Sequence, residues 1–179
     1  MAEFKTKLPS VEEMLQAGVH FGHQVRRKNP SMDKFVYTID DKTHVIDLYK
    51  TREYLEKACE ALYNIAKTGN DIVFIGTKRQ ASHIVKKYAK ECDSMYVVQR
   101  WLGGTLTNYD SVKSKWVELN RLEEGIKSGA FNKYTKKERL LIERDIEKLE
   151  SFVGGIRNMS RKPGVMIVID VKRERTAVR

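Results

Sequence analysis

Asp71-Ile72-Val73-Phe74-Ile75-Gly76 is the stretch on which the fold turns. An uninterrupted apolar run closed by a turn residue is what a strand covered on both faces requires, because successive side chains point to opposite sides of the sheet. Its surroundings repeat with another period. On the N-terminal side Tyr54, Leu55, Ala58, Ala61, Leu62 and Ile65 step at helical spacing, and Gly69 is placed to end that helix. On the C-terminal side Ala81, Ile84, Val85, Tyr88, Ala89 and Cys92 do the same, and Tyr96, Val97 and Val98 then supply a second strand. Helix, strand, helix, strand in this order implies right-handed crossovers and a parallel sheet, an α/β fold.

At the exit of the second strand stands Arg100-Trp101-Leu102-Gly103-Gly104-Thr105-Leu106-Thr107-Asn108. The C-terminal end of a strand is where an open α/β sheet exposes its working edge. Arg100 can fork onto phosphate, Trp101 offers packing area and an indole N–H, and the glycine pair lets backbone approach another surface. A buried turn accounts for the glycines equally well.

Farther along, Val112, Trp116, Leu119, Leu122 and Ile126 step by threes and fours, as do Ile142, Ile146, Leu149, Val153 and Ile156. The segment between them contains Gly129, and Thr135-Lys136-Lys137-Glu138 is a capping box that starts the return helix. The spacing predicts an antiparallel helical hairpin with a narrow apolar stripe, standing away from the sheet. Arg161-Lys162-Pro163-Gly164 then lead into a covered strand over 165–169 closed by Asp170. Residues 172–179 begin a helical pattern that stops before its apolar side could be buried. The expectation is that something outside the chain covers the sheet edge left there, or that the sequence is a shortened form of a longer one. Residues 1–108 are thus read as an N-terminal helix and the first part of the α/β domain, 109–156 as the hairpin, and 157–179 as the return.

Upstream, Ser10-Val11-Glu12-Glu13 is another capping box, starting a short helix expected to stop at Gly18. Residues 20–30, with His20, His23, Arg26, Arg27 and Lys28, read as a basic loop. Segments 35–39 and 44–48 read as two strands joined across Asp40-Asp41-Lys42, although no glycine favours the tightest turns.

The 179 residues suit one domain, or one with an appendage. With 34 basic against 24 acidic residues, a formal charge of +10 and a pI near 9.5, the expected partner is a polyanion. No apolar run reaches bilayer length, and residues 1–7 carry charges where a leader needs an apolar core, so no membrane is expected and the cytosol is the default. Cys59 and Cys92 read as free, half-buried thiols. Gly-x-Gly-x-x-Gly is absent, and Gly76-Thr77-Lys78-Arg79 lacks the ending of a phosphate-binding P-loop. No cofactor, metal or catalytic residue is assigned: His20 and His23 have no further ligand nearby to complete a metal set, and Asp47 and Asp170, closing apolar strands, suit capping or ion pairing.

Cations concentrate instead at strand and helix exits: Arg26, Arg27 and Lys28; Lys78, Arg79 and Gln80; Arg100 with Trp101; Arg157, Asn158, Arg161 and Lys162. In a parallel sheet Lys78 and Arg100 leave neighbouring strands at one edge and can follow a sugar-phosphate backbone. The alternative is an α/β enzyme or binding module that takes a phosphorylated small molecule at the exits near Gly76 and Gly103. A third reading makes the hairpin a protein-binding module.

Gly18-Val19-His20-Phe21-Gly22-His23, Gly76-Thr77-Lys78-Arg79-Gln80-Ala81, the nine residues from Arg100 to Asn108, and Gly154-Gly155-Ile156-Arg157-Asn158-Met159 resemble, in order, the ribosomal protein S2 family of the small subunit in its bacterial or organellar form. The resemblance implies a flavodoxin-like three-layer core with an inserted, protruding coiled-coil hairpin. It implies binding of small-subunit, 16S-type ribosomal RNA rather than DNA, contacts with neighbouring small-subunit proteins including ribosomal protein S1, and no catalysis. His20, His23, Thr107 and Asn108 join the cations above as RNA contacts on these motifs. Arg27-Lys28-Asn29-Pro30-Ser31-Met32 departs from the family's usual Arg-Trp-Asn-Pro-Lys-Met, putting a cation where an indole is common, and the family continues past Arg179 with a further helix and strand.

Overall fold

The computed structural model describes residues 7–179; residues 1–6, most of the charged opening read above against a leader, lie outside them. The chain falls into two compact units, one running through Thr68 and the other spanning Gly69–Arg179.

In the first unit, helix α1 (Val11–Gln16) begins at its capping box. The Ser10 hydroxyl accepts from the Glu13 amide at 3.1 Å, and the Glu13 carboxylate accepts from the Ser10 amide at 2.7 Å. Gly18, at φ +73, turns the chain out of it. Strands β1 (Phe21–Gln24), β2 (Val36–Asp40) and β3 (Thr43–Ile46) form an antiparallel sheet in the order β1-β3-β2. The expected strand pair is present. The expected basic loop is not a plain loop: it contributes β1, followed by 3-10 turns at Val25–Arg27 and Pro30–Phe35. Gly22 lets β1 pair there, since a Cβ on it would stand 2.7 Å from the His44 carbonyl oxygen. Asp41 and Lys42 take φ of 39 and 59, so the β2–β3 hairpin closes through two left-handed residues without glycine. Asp47 caps helix α2 (Leu48–Lys67), its Oδ1 accepting from the amides of Tyr49 and Lys50 at 3.0 and 3.2 Å.

In the second unit, β4 (Ile72–Ile75) is the centre of a parallel sheet in the order β5-β4-β6, with β5 at Met95–Val97 and β6 at Val165–Val168. The register runs Ile75↔Val97 on one side and Ile75↔Val168 on the other. Val73 and Ile75 are wholly buried and share a core with Val97, Trp101, Trp116, Leu119, Val153, Ile156 and Met159. Each such side chain contributes about 1.5–3 kcal/mol by leaving water. Helix α3 (Arg79–Glu91) links β4 to β5 and sits close at Gly76, where a Cβ would come 2.8 Å from Val85 Cγ2.

Helices α4 (Tyr109–Lys127) and α5 (Lys136–Val153) are in contact. The end of α4 and the start of α5 share one depression through Ile126 and Ile142, while Lys115 and Glu118 line another with Leu149 and Phe152. Only the base enters the core, through Val112, Trp116, Leu119 and Val153; farther out, Ile126, Leu140 and Leu141 are exposed. The predicted Thr135–Glu138 capping box is present in both directions. Donation to Glu138 Oε2 from the Thr135 amide at 2.8 Å and, second, from the Thr135 hydroxyl at 2.9 Å holds the Glu138 carboxyl below the usual range. A short helix α6 (Arg175–Val178) anchors through Ala177, which joins the sheet core.

Candidate nucleic-acid interface

Parallel pairing brings the exits of β4, β5 and β6 to one edge of the second unit. The Gly76 amide donates to the Val97 carbonyl at 3.0 Å and the Ile169 amide to the Ile75 carbonyl at 2.8 Å, so the three chains leave the sheet side by side. Lys78 stands at the N-cap of α3, with Arg79 and Gln80 exposed in its first turn, and Arg100 is exposed just beyond β5. Thr107 and Asn108 are exposed before α4, and the Asn108 amide closes the glycine turn onto the Gly104 carbonyl. Gly104 has φ +88, so the Gly103-Gly104 pair serves a turn, though not a buried one, since Gly103 is exposed.

Lys78 is not a bare cation. Its ammonium pairs with Asp170 Oδ2 at 2.9 Å, while 42 % of its side chain stays exposed. Beside it Glu174, only 4 % exposed, accepts through Oε1 from the Thr77 amide at 2.9 Å and the Thr77 hydroxyl at 2.5 Å. Arg173 Nε donates to that hydroxyl at 3.3 Å. Sequence reading singled out Asp170 for capping or ion pairing but not Thr77, Arg173 or Glu174. Within Lys172-Arg173-Glu174-Arg175 an acid looks like any solvated charge.

Three expected RNA contacts have partners within the fold, and a fourth lies beside one of them. Trp101 is 7 % exposed and belongs to the core, where it replaces water with Val97, Trp116 and their neighbours, so its face is not free for a base. Arg157 is spent inside the fold. Its Nη1 and Nη2 reach both Glu123 oxygens at 3.0 and 2.8 Å, and Nη2 also meets Glu150, tying α4 to α5 at the base of the hairpin. The Glu123 hydrogen bond is the main cause holding the Arg157 pKa above its ordinary value, and the same bond holds Glu123 below the carboxylate range. Arg161 donates to Asp71 Oδ2 at 3.3 Å and to the Gly69 carbonyl at 2.8 Å, which puts it at the opposite edge of the sheet. Lys162 is exposed beside it, and Asn158 is exposed after the 3-10 turn Gly154–Ile156.

In the first unit, Arg26 and Arg27 are exposed on their 3-10 turn and Lys28 pairs with Asp33 at 2.9 Å. His23 is exposed in β1, whereas His20 is half-buried with its ring centroid 4.0 Å from that of Phe21. Among the described residues no group of three His, Cys, Asp or Glu side chains is placed to hold a metal, and no helix is long and apolar enough to cross a membrane.

Comparison with known proteins agrees with this architecture. The model of the family described as ribosomal protein S2 matches residues 14–179. A small ribosomal subunit protein uS2c from Porphyra purpurea is 46% identical over 169 residues, covering 94% of this chain and 70% of the relative. A small ribosomal subunit protein uS2 from Nitratiruptor sp. is 44% identical over 170 residues, 95% of this chain and 64% of the relative. The uS2c of Cyanophora paradoxa is 44% identical over 169 residues, 94% and 72% respectively. The chain spans about two thirds of the length of the relatives it matches. With a mixed α/β body, a parallel sheet and a family match over nearly its whole length, this chain belongs to the ribosomal protein S2 family.

Proposed function

We propose that this protein is a structural constituent of the small ribosomal subunit, bacterial-type or organellar, that binds 16S-type ribosomal RNA and catalyses nothing. The observation that carries the reading is the shared edge: Lys78, Arg79 and Arg100 leave adjacent parallel strands and present cations in a row suited to phosphate. Its relatives are named as small ribosomal subunit proteins, and a net charge of +10 fits a polyanionic partner. The sheet order, second-first-third in chain order, is how a flavodoxin-like sheet begins, so a three-layer flavodoxin-like core is the proposed form. The helical pair 109–156 is proposed as its protruding coiled coil, with an exposed outer part available to neighbouring ribosomal proteins, ribosomal protein S1 among them.

A small-molecule site at the same edge has less to stand on. In such sheets the crevice opens where strand order reverses, between β4 and β6. Here the Lys78–Asp170 pair and the Thr77–Glu174 bonds occupy that place. The test is co-sedimentation with small subunits through low- and high-salt gradients, combined with binding to a 16S ribosomal RNA transcript. Affinity should fall steeply with salt, and Lys78→Ala with Arg100→Ala should lower it further. Salt-independent binding, or parent affinity in the double variant, would defeat the proposal.

A further inference from the structure

We infer that Glu174 is a positioning residue for RNA binding: through Thr77 it latches the β4–α3 loop, so that Lys78 and Arg79 meet phosphate from a backbone already fixed. This rests on the reading that the Lys78 edge faces RNA.

The segment 169–177 is held at both ends. Ile169 continues the sheet by its hydrogen bond to Ile75, and Ala177 is buried in the sheet core. Between them Asp170 adopts φ +68, and its carbonyl accepts from the amides of Arg173 and Glu174 at 2.9 and 3.1 Å. That left-handed turn carries Glu174 back under the neighbouring strand exit. A carboxylate buried to this degree needs donors, and Thr77 supplies two of them, one from the backbone. Arg173, donating to the same hydroxyl, adds a cation beside the pair.

The consequence falls on Lys78. Its backbone follows directly from the pinned Thr77, and its ammonium is directed by Asp170. An ammonium has three donors, so one on Asp170 leaves two for phosphate oxygens. Ordering a long cationic side chain and its loop at the moment of binding costs affinity, and a loop ordered beforehand avoids that cost. Glu174 touches no RNA in this scheme; it acts through Thr77 on residues that do.

The experiment measures affinity of the full chain for a 16S ribosomal RNA transcript across a salt series, with amide hydrogen exchange on the free protein. Glu174→Ala and Thr77→Val should each bind about tenfold more weakly, the equivalent of one charge-assisted contact. Each should also flatten the salt dependence by about one counterion. Thr77→Ser, which keeps the hydroxyl donor, should restore parent binding. Adding Thr77→Val to a Lys78→Ala, Arg79→Ala double variant should weaken binding no further than that double variant alone, a coupling that general destabilisation would not produce. Exchange should quicken at the Thr77 amide and stay slow in β4. If Glu174→Ala does not fold, Thr77→Val, which deletes one hydroxyl, carries the test. Folded variants with parent affinity and salt slope, beside a weakened Lys78→Ala, would overturn the latch and leave the RNA reading standing. Parent affinity in Lys78→Ala itself would remove the RNA reading of this edge and the latch together.

Discussion

Replacing Arg157 by Met separates a residue that holds the fold from one that holds RNA. Methionine keeps much of the aliphatic volume and removes the guanidinium, which donates to both oxygens of Glu123 and to Glu150. A charge-assisted hydrogen bond contributes about 1.5–3 kcal/mol when desolvated. Here the side chains of Arg157 and Glu123 are each 27 % exposed and Glu150 is 50 % exposed, so water screens much of that, and about 2 kcal/mol for the whole cluster is the expected loss. With a urea slope of about 2 kcal/mol/M, the unfolding midpoint should drop by roughly 1 M at pH 7. The pH dependence follows from Glu123, which Arg157 holds below the carboxylate range. A group depressed in the fold stabilises it fully above its unfolded pKa of about 4.3, and that stabilisation is lost as pH falls through the depressed native value. The gap between parent and variant should therefore be widest near neutrality and narrow in strong acid. Binding to the RNA transcript should keep its parent salt slope. An unmoved midpoint, a gap that does not narrow in acid, or a salt slope flattened by about one would each refute this account of Arg157.

The other predictions concern packing and turns. Trp101→Ala should destabilise the second unit by about 3–5 kcal/mol in urea or thermal unfolding, because an indole that is 7 % exposed leaves a cavity among Val97 and Trp116. Gly76→Ala should cost about 1–3 kcal/mol by pressing a methyl to within 2.8 Å of Val85 Cγ2, and adding Val85→Ala should recover part of the packing strain; a neutral Gly76→Ala would show that α3 can retreat freely. Lys42→Gly should stabilise the β2–β3 hairpin by about 0.5 kcal/mol. Relief of a left-handed lysine at φ 59, worth about 1–2 kcal/mol, exceeds the extra unfolded-state freedom of glycine, worth about 0.5–1 kcal/mol. Denaturation midpoints decide each case.

The elements that were legible are those whose cause is local. The apolar run 71–76 and the helical spacings on either side of it identify β4, α2 and α3 because burial imposes a period on the chain itself. Both capping boxes could be read for the same reason: donor and acceptor lie three residues apart. Strand β1 could not. Phe21-Gly22-His23-Gln24 has no apolar alternation, and it becomes a strand only because Gly22 admits the His44 backbone, a contact with chain more than twenty residues away. The β2–β3 turn is tight despite lacking glycine, since strand pairing on both sides imposes the positive φ at Asp41 and Lys42.

At the candidate site the sequence located cations but not their obligations. Reading Lys78 and Arg100 at strand exits required only the sheet to be parallel, and it is. Whether a cation at an exit is free depends on acids that arrive from elsewhere in the chain: Asp170 for Lys78, Glu123 and Glu150 for Arg157, Asp71 for Arg161. Those pairings are 92, 34, 7 and 90 residues apart, and except for the shortest no spacing rule reaches them. The difference between them is geometric. Asp170 takes one of three ammonium donors on a side chain still open to solvent, whereas Glu123 takes both forks of a guanidinium that faces the hairpin base. The same motif vocabulary therefore yields one cation still 42 % open to solvent and another, 27 % exposed, that fastens two helices; each keeps two donors, and exposure tells them apart.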